Sequence, residues 1–195
     1  MREKRRQILD GVRQVMGERG ILGVTMKNVA SAADMSQGLL HYYFSSKDEM
    51  MLEVMRTNSE RVLDLFGQAL RSLQPGDDVP GFLTREYRRL HDDYTEYFTM
   101  FAECWPLIWT GQAMRQAIRE LFLYFRGGVR GMLEDLRDRG VIEPQLPLGD
   151  LAAMINAQCD GMELQMHVDP ALAKSDGFWR AFEHSLRALF NGKWR

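Results

Sequence analysis

An all-α fold is what this 195-residue sequence predicts. Apolar residues recur at the three-to-four-residue interval of a helix from end to end, and no run alternates as a half-buried strand does. Serine, threonine and glycine stand where helices begin and stop. The pattern gives about nine helices: a three-helix head followed by a larger helical body. The boundary is set at 1–47 and 48–195.

The elements follow in order. Residues 3–19 place Ile8, Leu9, Val12, Val15 and Met16 on one helical face. Gly20 then stops the helix, with Ile21 behind it. Thr25 caps a short second helix, but its capping box is incomplete because Asn28 stands where Glu or Gln would close it. Asp34 and Met35 make a turn, and Ser36 caps a third helix. Ser46-x-x-Glu49 is a full capping box that opens a long fourth helix, ending before "QPGDDVPG". A helix over 80–103 starts on Pro80 and is broken at Trp105-Pro106. A short segment at 106–110 precedes a helix over 112–139, weakened at Gly127-Gly128 and ended by Gly140. Helices over 149–168 and 175–191 complete the chain.

Composition is ordinary for a globular protein, at 45% hydrophobic and 27% charged residues. No run of about 18 apolar residues suggests a membrane span, and the basic start "MREKRRQILDG" lacks the apolar block of a signal peptide. A cytoplasmic protein is expected. Cys104 and Cys159 are expected as buried thiols, with a disulfide left open. Charge is uneven. Residues 1–47 carry eight Lys/Arg against four acids, whereas the remainder carries 17 against 23. A basic head on an acidic body suits a polyanion, although a +4 excess also arises by chance.

Three helices within about 45 residues, the second and third short and tightly joined, form a helix-turn-helix. Ala30 and Ala33 permit a close helix crossing, with Val29 and Leu40 apolar beneath. The start of the third helix exposes backbone N–H groups that favour phosphate. Gln37 can pair with adenine in a major groove, and Gly38 leaves room for approach. In "HYYF", Tyr42 suits a sugar or phosphate contact, and Phe44 suits an apolar plug. Tyr43 suits either role. His41 fits a backbone contact or a solvent-facing neutral histidine, and no companion at metal-ligand spacing supports a metal there. Candidate DNA contacts are Thr25, Lys27, Ser36, Gln37, Gly38, His41, Tyr42 and Lys47. No cofactor is expected.

"TMKNVASAADMSQGLLHYYFSSKDEMMLEVM" resembles the DNA-binding signature of the TetR family of bacterial transcriptional regulators. The shared features are the Thr before the second helix, Val-Ala, the Ala before the turn, Ser-x-Gly opening the third helix, Tyr-x-Phe closing it and the following Lys. Met35 and Asn28 depart from the commoner residues. The stretch "GVIEPQLPLGDLAAMINAQCDGMELQMHVDP" is similar to the eighth helix of the betaine-pathway repressor branch. The resemblance implies a regulator, most simply a repressor, that binds palindromic double-stranded DNA as a homodimer and is released by a small molecule.

The body offers matching residues. The last two helices carry Ile155, Cys159, Met162, Met166, Phe178, Phe182, Leu186 and Leu189 as candidate dimer contacts, with small Ala153, Ala157 and Gly161. The same stripes also suit an intramolecular core. Residues 79–125 hold eleven of the twenty aromatics, most of them core at that spacing, yet collectively able to line a cavity. Tyr94, Phe98, Phe101, Glu103, Trp105, Trp109, Phe122, Phe125 and Met162 are the candidate effector residues. Glu103 beside Trp105 suits an organic cation. No phosphate loop, nucleophile elbow or zinc-protease motif is present. Cys159 and His167 lie about 12 Å apart along one helix, too far for a catalytic pair. An enzyme is therefore not expected. A ligand-independent architectural DNA-binding protein is the alternative.

Overall fold

The computed structural model describes residues 2–109 and 111–191, and among these it forms nine α-helices and two 3-10 turns, with no strand. The helices are α1 (Arg2–Arg19), α2 (Met26–Ala32), α3 (Gln37–Tyr43), α4 (Lys47–Leu70), α5 (Val79–Asp93), α6 (Thr95–Cys104), α7 (Gln112–Asp138), α8 (Leu148–Val168) and α9 (Asp176–Asn191). The 3-10 turns are Ile21–Gly23 and Trp105–Trp109.

Capping chemistry sets most of these limits. Thr25 Oγ1 accepts from the Asn28 amide at 3.1 Å, and the Asn28 side chain donates to the Gly23 carbonyl at 2.8 Å. The residue that leaves the capping box incomplete thus ties α2 to the turn before it. At φ 65° and ψ −177°, a combination open mainly to glycine, Gly20 stops α1. Gly140 (φ 71°) likewise ends α7, with the Val141 amide returning to the Leu136 carbonyl at 2.8 Å.

One expectation is corrected. The single helix over 80–103 is two helices, interrupted at Tyr94 (φ −128°, ψ 36°). The Thr95 hydroxyl donates to the His91 carbonyl at 2.9 Å, offering the chain a local partner in place of the helical ladder. The glycine pair in α7 does not interrupt it. A Cβ on Gly128 would lie 2.6 Å from Leu63 Cδ1, so that glycine permits close packing against α4.

Two compact units result. The first comprises Met1–Ser59 with Glu96–Leu121, and the second Glu60–Thr95 with Phe122–Arg195. In the first, Ile8, Val12, Val29, Leu40, Phe44 and Val54 are fully buried. Helices α1 and α2 cross closely, because a Cβ on Gly11 would meet Ala33 Cβ at 3.1 Å. In the second, Leu90, Leu136, Leu151 and Leu186 are buried, with α5 packed mainly along α9.

Candidate nucleic-acid interface

The helix-turn-helix is built from α2, the turn at 33–36 and α3. Asp34 sits in the left-handed region (φ 49°), a strained setting that short Asp side chains tolerate. The Met35 amide closes the turn on the Ala30 carbonyl at 2.9 Å. Ser36 Oγ accepts from the Leu39 amide at 3.2 Å and fixes the start of α3. From α1, the Gln7 side chain donates to the Ala33 carbonyl at 2.6 Å, fastening the turn from behind.

The run of aromatics divides by direction. Phe44 is 1% exposed and lies under the Arg5 guanidinium, 4.4 Å from its ring centre. Tyr42 is 75% exposed and meets Tyr43 edge-on at 5.2 Å. Tyr43 is half-buried. Gln37, Gly38, His41 and Tyr42 share one helical face, opposite buried Leu40. Thr25, Lys27, Ser36 and Lys47 are exposed as well. A Cβ on Gly38 would touch nothing within 4 Å, so this face is open. Among the described residues neither Lys27 nor Lys47 enters an ion pair, whereas Arg5 bonds Glu53 at 3.3 Å. Arg5, Gln7 and Gly11 pack α1 against the helix-turn-helix and the start of α4, and the sequence did not single them out. Only the closeness of α1 to the turn gives them meaning.

The candidate effector residues fall in separate units. Phe98, Phe101, Glu103, Trp105 and Trp109 belong to the first. Tyr97 and Phe98 meet at 5.0 Å, and Phe101 meets Trp105 edge-on at 6.4 Å. Trp109 is 77% exposed with Arg115 over it at 5.9 Å, so it faces outward. Glu103 is committed elsewhere than expected: its Oε2 accepts from the Ile21 amide at 2.7 Å, beside Gly20. That carboxylate closes the turn after α1. Tyr94, Phe122, Phe125 and Met162 belong to the second unit. Tyr94 stacks with Arg61 at 4.9 Å, Phe122 and Phe125 are half-buried, and Met162 is buried.

The second unit also contains a polar cluster that sequence reading missed. The Tyr87 hydroxyl donates to Glu163 Oε1 at 2.5 Å and lies 3.1 Å from the Cys159 carbonyl oxygen. His91 Nδ1 is 3.1 Å from Glu163 Oε2. Hydrogen bonding to Glu163 raises His91 above the ordinary histidine value, against the opposing effect of burial. Burial pushes Asp160 up to about 7, aided by the Glu163 charge and opposed by Arg126. The Cys159 thiol is likewise pushed up by burial. Cys159 is a free thiol, while the Cys104 side chain lies outside the described residues.

The candidate dimer residues are mostly closed within one chain. Met162, Met166, Phe182, Leu186 and Leu189 are buried, and Phe182 packs on Tyr87 at 5.5 Å. Ile155, Cys159 and Phe178 are half-buried. The face of α8 left outside carries Met154, Ala157, Gly161, Leu164 and Val168, at alternating spacings of three and four.

Residues 8–54 match the family model described as bacterial regulatory proteins, tetR family. Residues 8–54 therefore carry the DNA-binding segment that this family model describes. Transcriptional regulators are similar to the chain over greater lengths. It is 24% identical over 192 residues to the HTH-type transcriptional regulator PksA of Bacillus subtilis (strain 168), covering 96% of this chain and 90% of that one. It is 28% identical over 122 residues to the HTH-type transcriptional regulator BetI of Burkholderia thailandensis, covering 62% of this chain and 61% of that one. The multidrug binding protein EbrR, solved with imidazole, superposes with a TM-score of 0.74 at 21% identity, over 98% of this chain and 97% of that one. Both curated relatives are transcriptional regulators. Among the described residues, no helix is long and apolar enough to cross a membrane.

Proposed function

We propose that this protein is a TetR-family repressor that binds a palindromic operator as a homodimer and is released by a small organic effector. The observation that carries the DNA reading is the two-sided third helix. Leu40 and Phe44 anchor it from beneath, while Gln37, Gly38, His41 and Tyr42 face outward. In this reading Gln37 contacts a base edge, and Tyr42, Ser36, Thr25, Lys27 and Lys47 contact the backbone.

The exposed stripe on α8 supports pairing with a second copy. Ala157 and Gly161 allow two helices to approach closely, and Met154, Leu164 and Val168 supply apolar contact. Two-fold symmetry then sets two recognition helices about 34 Å apart, one DNA turn. An effector-bound conformation with a different spacing binds the operator less well, by population shift. The neighbour EbrR, a multidrug binding protein, supports a small-molecule role for the body. Glu103 is not the polar anchor in this reading, because the Ile21 amide already occupies it.

Selection of bound duplexes from a random DNA pool, at a stated salt concentration, tests the proposal. One recovered palindrome is the expected result. Salt-sensitive binding without sequence preference would instead favour the architectural alternative.

A further inference from the structure

Leucine occurs twice in succession on α3, and the two side chains go separate ways. Leu40 is fully buried, whereas Leu39 is 39% exposed. Successive helical residues point about 100° apart. Leu39 therefore lies on the flank of the open face, beside Gly38 and three residues before Tyr42. Gln37 and His41 lie on the other side of Gly38. The Ser36 hydroxyl oxygen accepts from the Leu39 amide at 3.2 Å, which fixes the backbone that carries this side chain. A Cβ on Gly38 would meet nothing within 4 Å, so the surface next to Leu39 is open. An isolated exposed leucine is common on protein surfaces. On this helix, however, its neighbours are the groups offered to DNA.

We infer that Leu39 selects thymine, its methyl groups packing on the C5-methyl of a thymine in the major groove of the operator. The inference rests on the DNA-binding reading above and names a base that the third helix selects. Chemistry leaves one partner. Leu39 has no donor or acceptor. Against a phosphate it displaces water from a charged group and returns no hydrogen bond. On the major-groove edges, guanine, adenine and cytosine offer only donors and acceptors, and thymine alone adds a methyl group. Packing that methyl on leucine removes apolar surface from water on both partners. Gln37, on the other flank, discriminates by hydrogen bonds. Leu39 thus adds a second kind of selection to the same helix.

The experiment uses the operator recovered by selection. Each thymine is replaced in turn by deoxyuridine, which keeps every hydrogen-bonding group and lacks only the methyl. Binding of the full chain to each duplex is measured at one fixed salt concentration. At one thymine per half-site, affinity should fall about fourfold, the worth of one buried methyl. Substituting both half-sites should lower it about fifteenfold. Leu39→Ala should bind the thymine operator more weakly and lose that sensitivity, so that thymine and deoxyuridine duplexes bind alike. A leucine that only packs within the head would leave the deoxyuridine effect unchanged. If Leu39→Ala does not fold, Leu39→Asn, of nearly the same shape, replaces it and should also lose the sensitivity. A palindrome with no required thymine, the absence of any deoxyuridine-sensitive position, or a sensitivity that survives loss of the leucine overturns the inference. Those results leave a selected operator in hand and the regulator proposal standing, whereas recovery of no palindrome fails both.

Discussion

At the residue scale, the adjacent aromatics of α3 make the sharpest contrast. Phe44→Ala should destabilise the first unit by about 3–5 kcal/mol, as a large core truncation does, and thermal unfolding would show it. Tyr42→Ala should alter stability by less than about 0.5 kcal/mol, since the ring is exposed. It should nevertheless weaken operator binding by about fivefold, the worth of one hydrogen bond. Equal operator affinity for both Tyr42 forms would remove that side chain from the interface.

The polar cluster sets a pH dependence of definite sign. His91 binds its proton more tightly folded than unfolded, so its contribution is complete below about 6.5 and is lost as pH rises through the raised folded value. Asp160 adds to the same trend. Its folded value of about 7 lies above the ordinary one, so ionisation at rising pH favours the unfolded chain. Melting temperature should therefore fall from about pH 5 to about pH 8. Asp160→Asn should raise Tm at pH 8 while changing it little near pH 4, and a melting series across pH checks both.

At the element scale, helix limits were largely legible because caps are local. Thr25, Ser36, Gly20 and Gly140 each act within a few residues of their own position. The break at Tyr94 was not legible, because the Thr95 hydroxyl competes with a helical ladder that periodicity alone favours. The role of Glu103 was hidden for another reason: its partner amide is 82 positions away in sequence. The division of the aromatic belt between two units was equally invisible, since spacing along a helix says nothing about which neighbour it meets. Packing at the glycines is testable. Gly128→Val places a side chain where Leu63 already stands and should cost about 1–3 kcal/mol. Gly127→Ala, with no neighbour within 4 Å, should be neutral or stabilising by about 1 kcal/mol, and denaturant unfolding separates them.

For the whole molecule, the decisive quantity is the number of chains that meet the DNA. Gly161→Arg inserts a charge into the exposed stripe of α8, where there is open space in one chain. It should leave unfolding nearly unchanged but yield a monomer in sedimentation and abolish high-affinity operator binding. A variant that still sediments as a dimer would move the interface off this face. If Lys27 and Lys47 of both copies each neutralise one phosphate, log K against log salt should fall with a slope of about −4.

The bond between Glu103 and the Ile21 amide also bears on how such proteins can be recombined. The helix-turn-helix reads as a contiguous module, so exchanging residues 1–47 between relatives looks like a clean transplant. In this chain it would not be one, because the acceptor for Ile21 arrives from a segment encoded far downstream. A grafted head would leave that amide without its carboxylate unless the recipient carried an acid at the matching place. The exchangeable part is therefore discontinuous, and residues 96–121 must travel with the head.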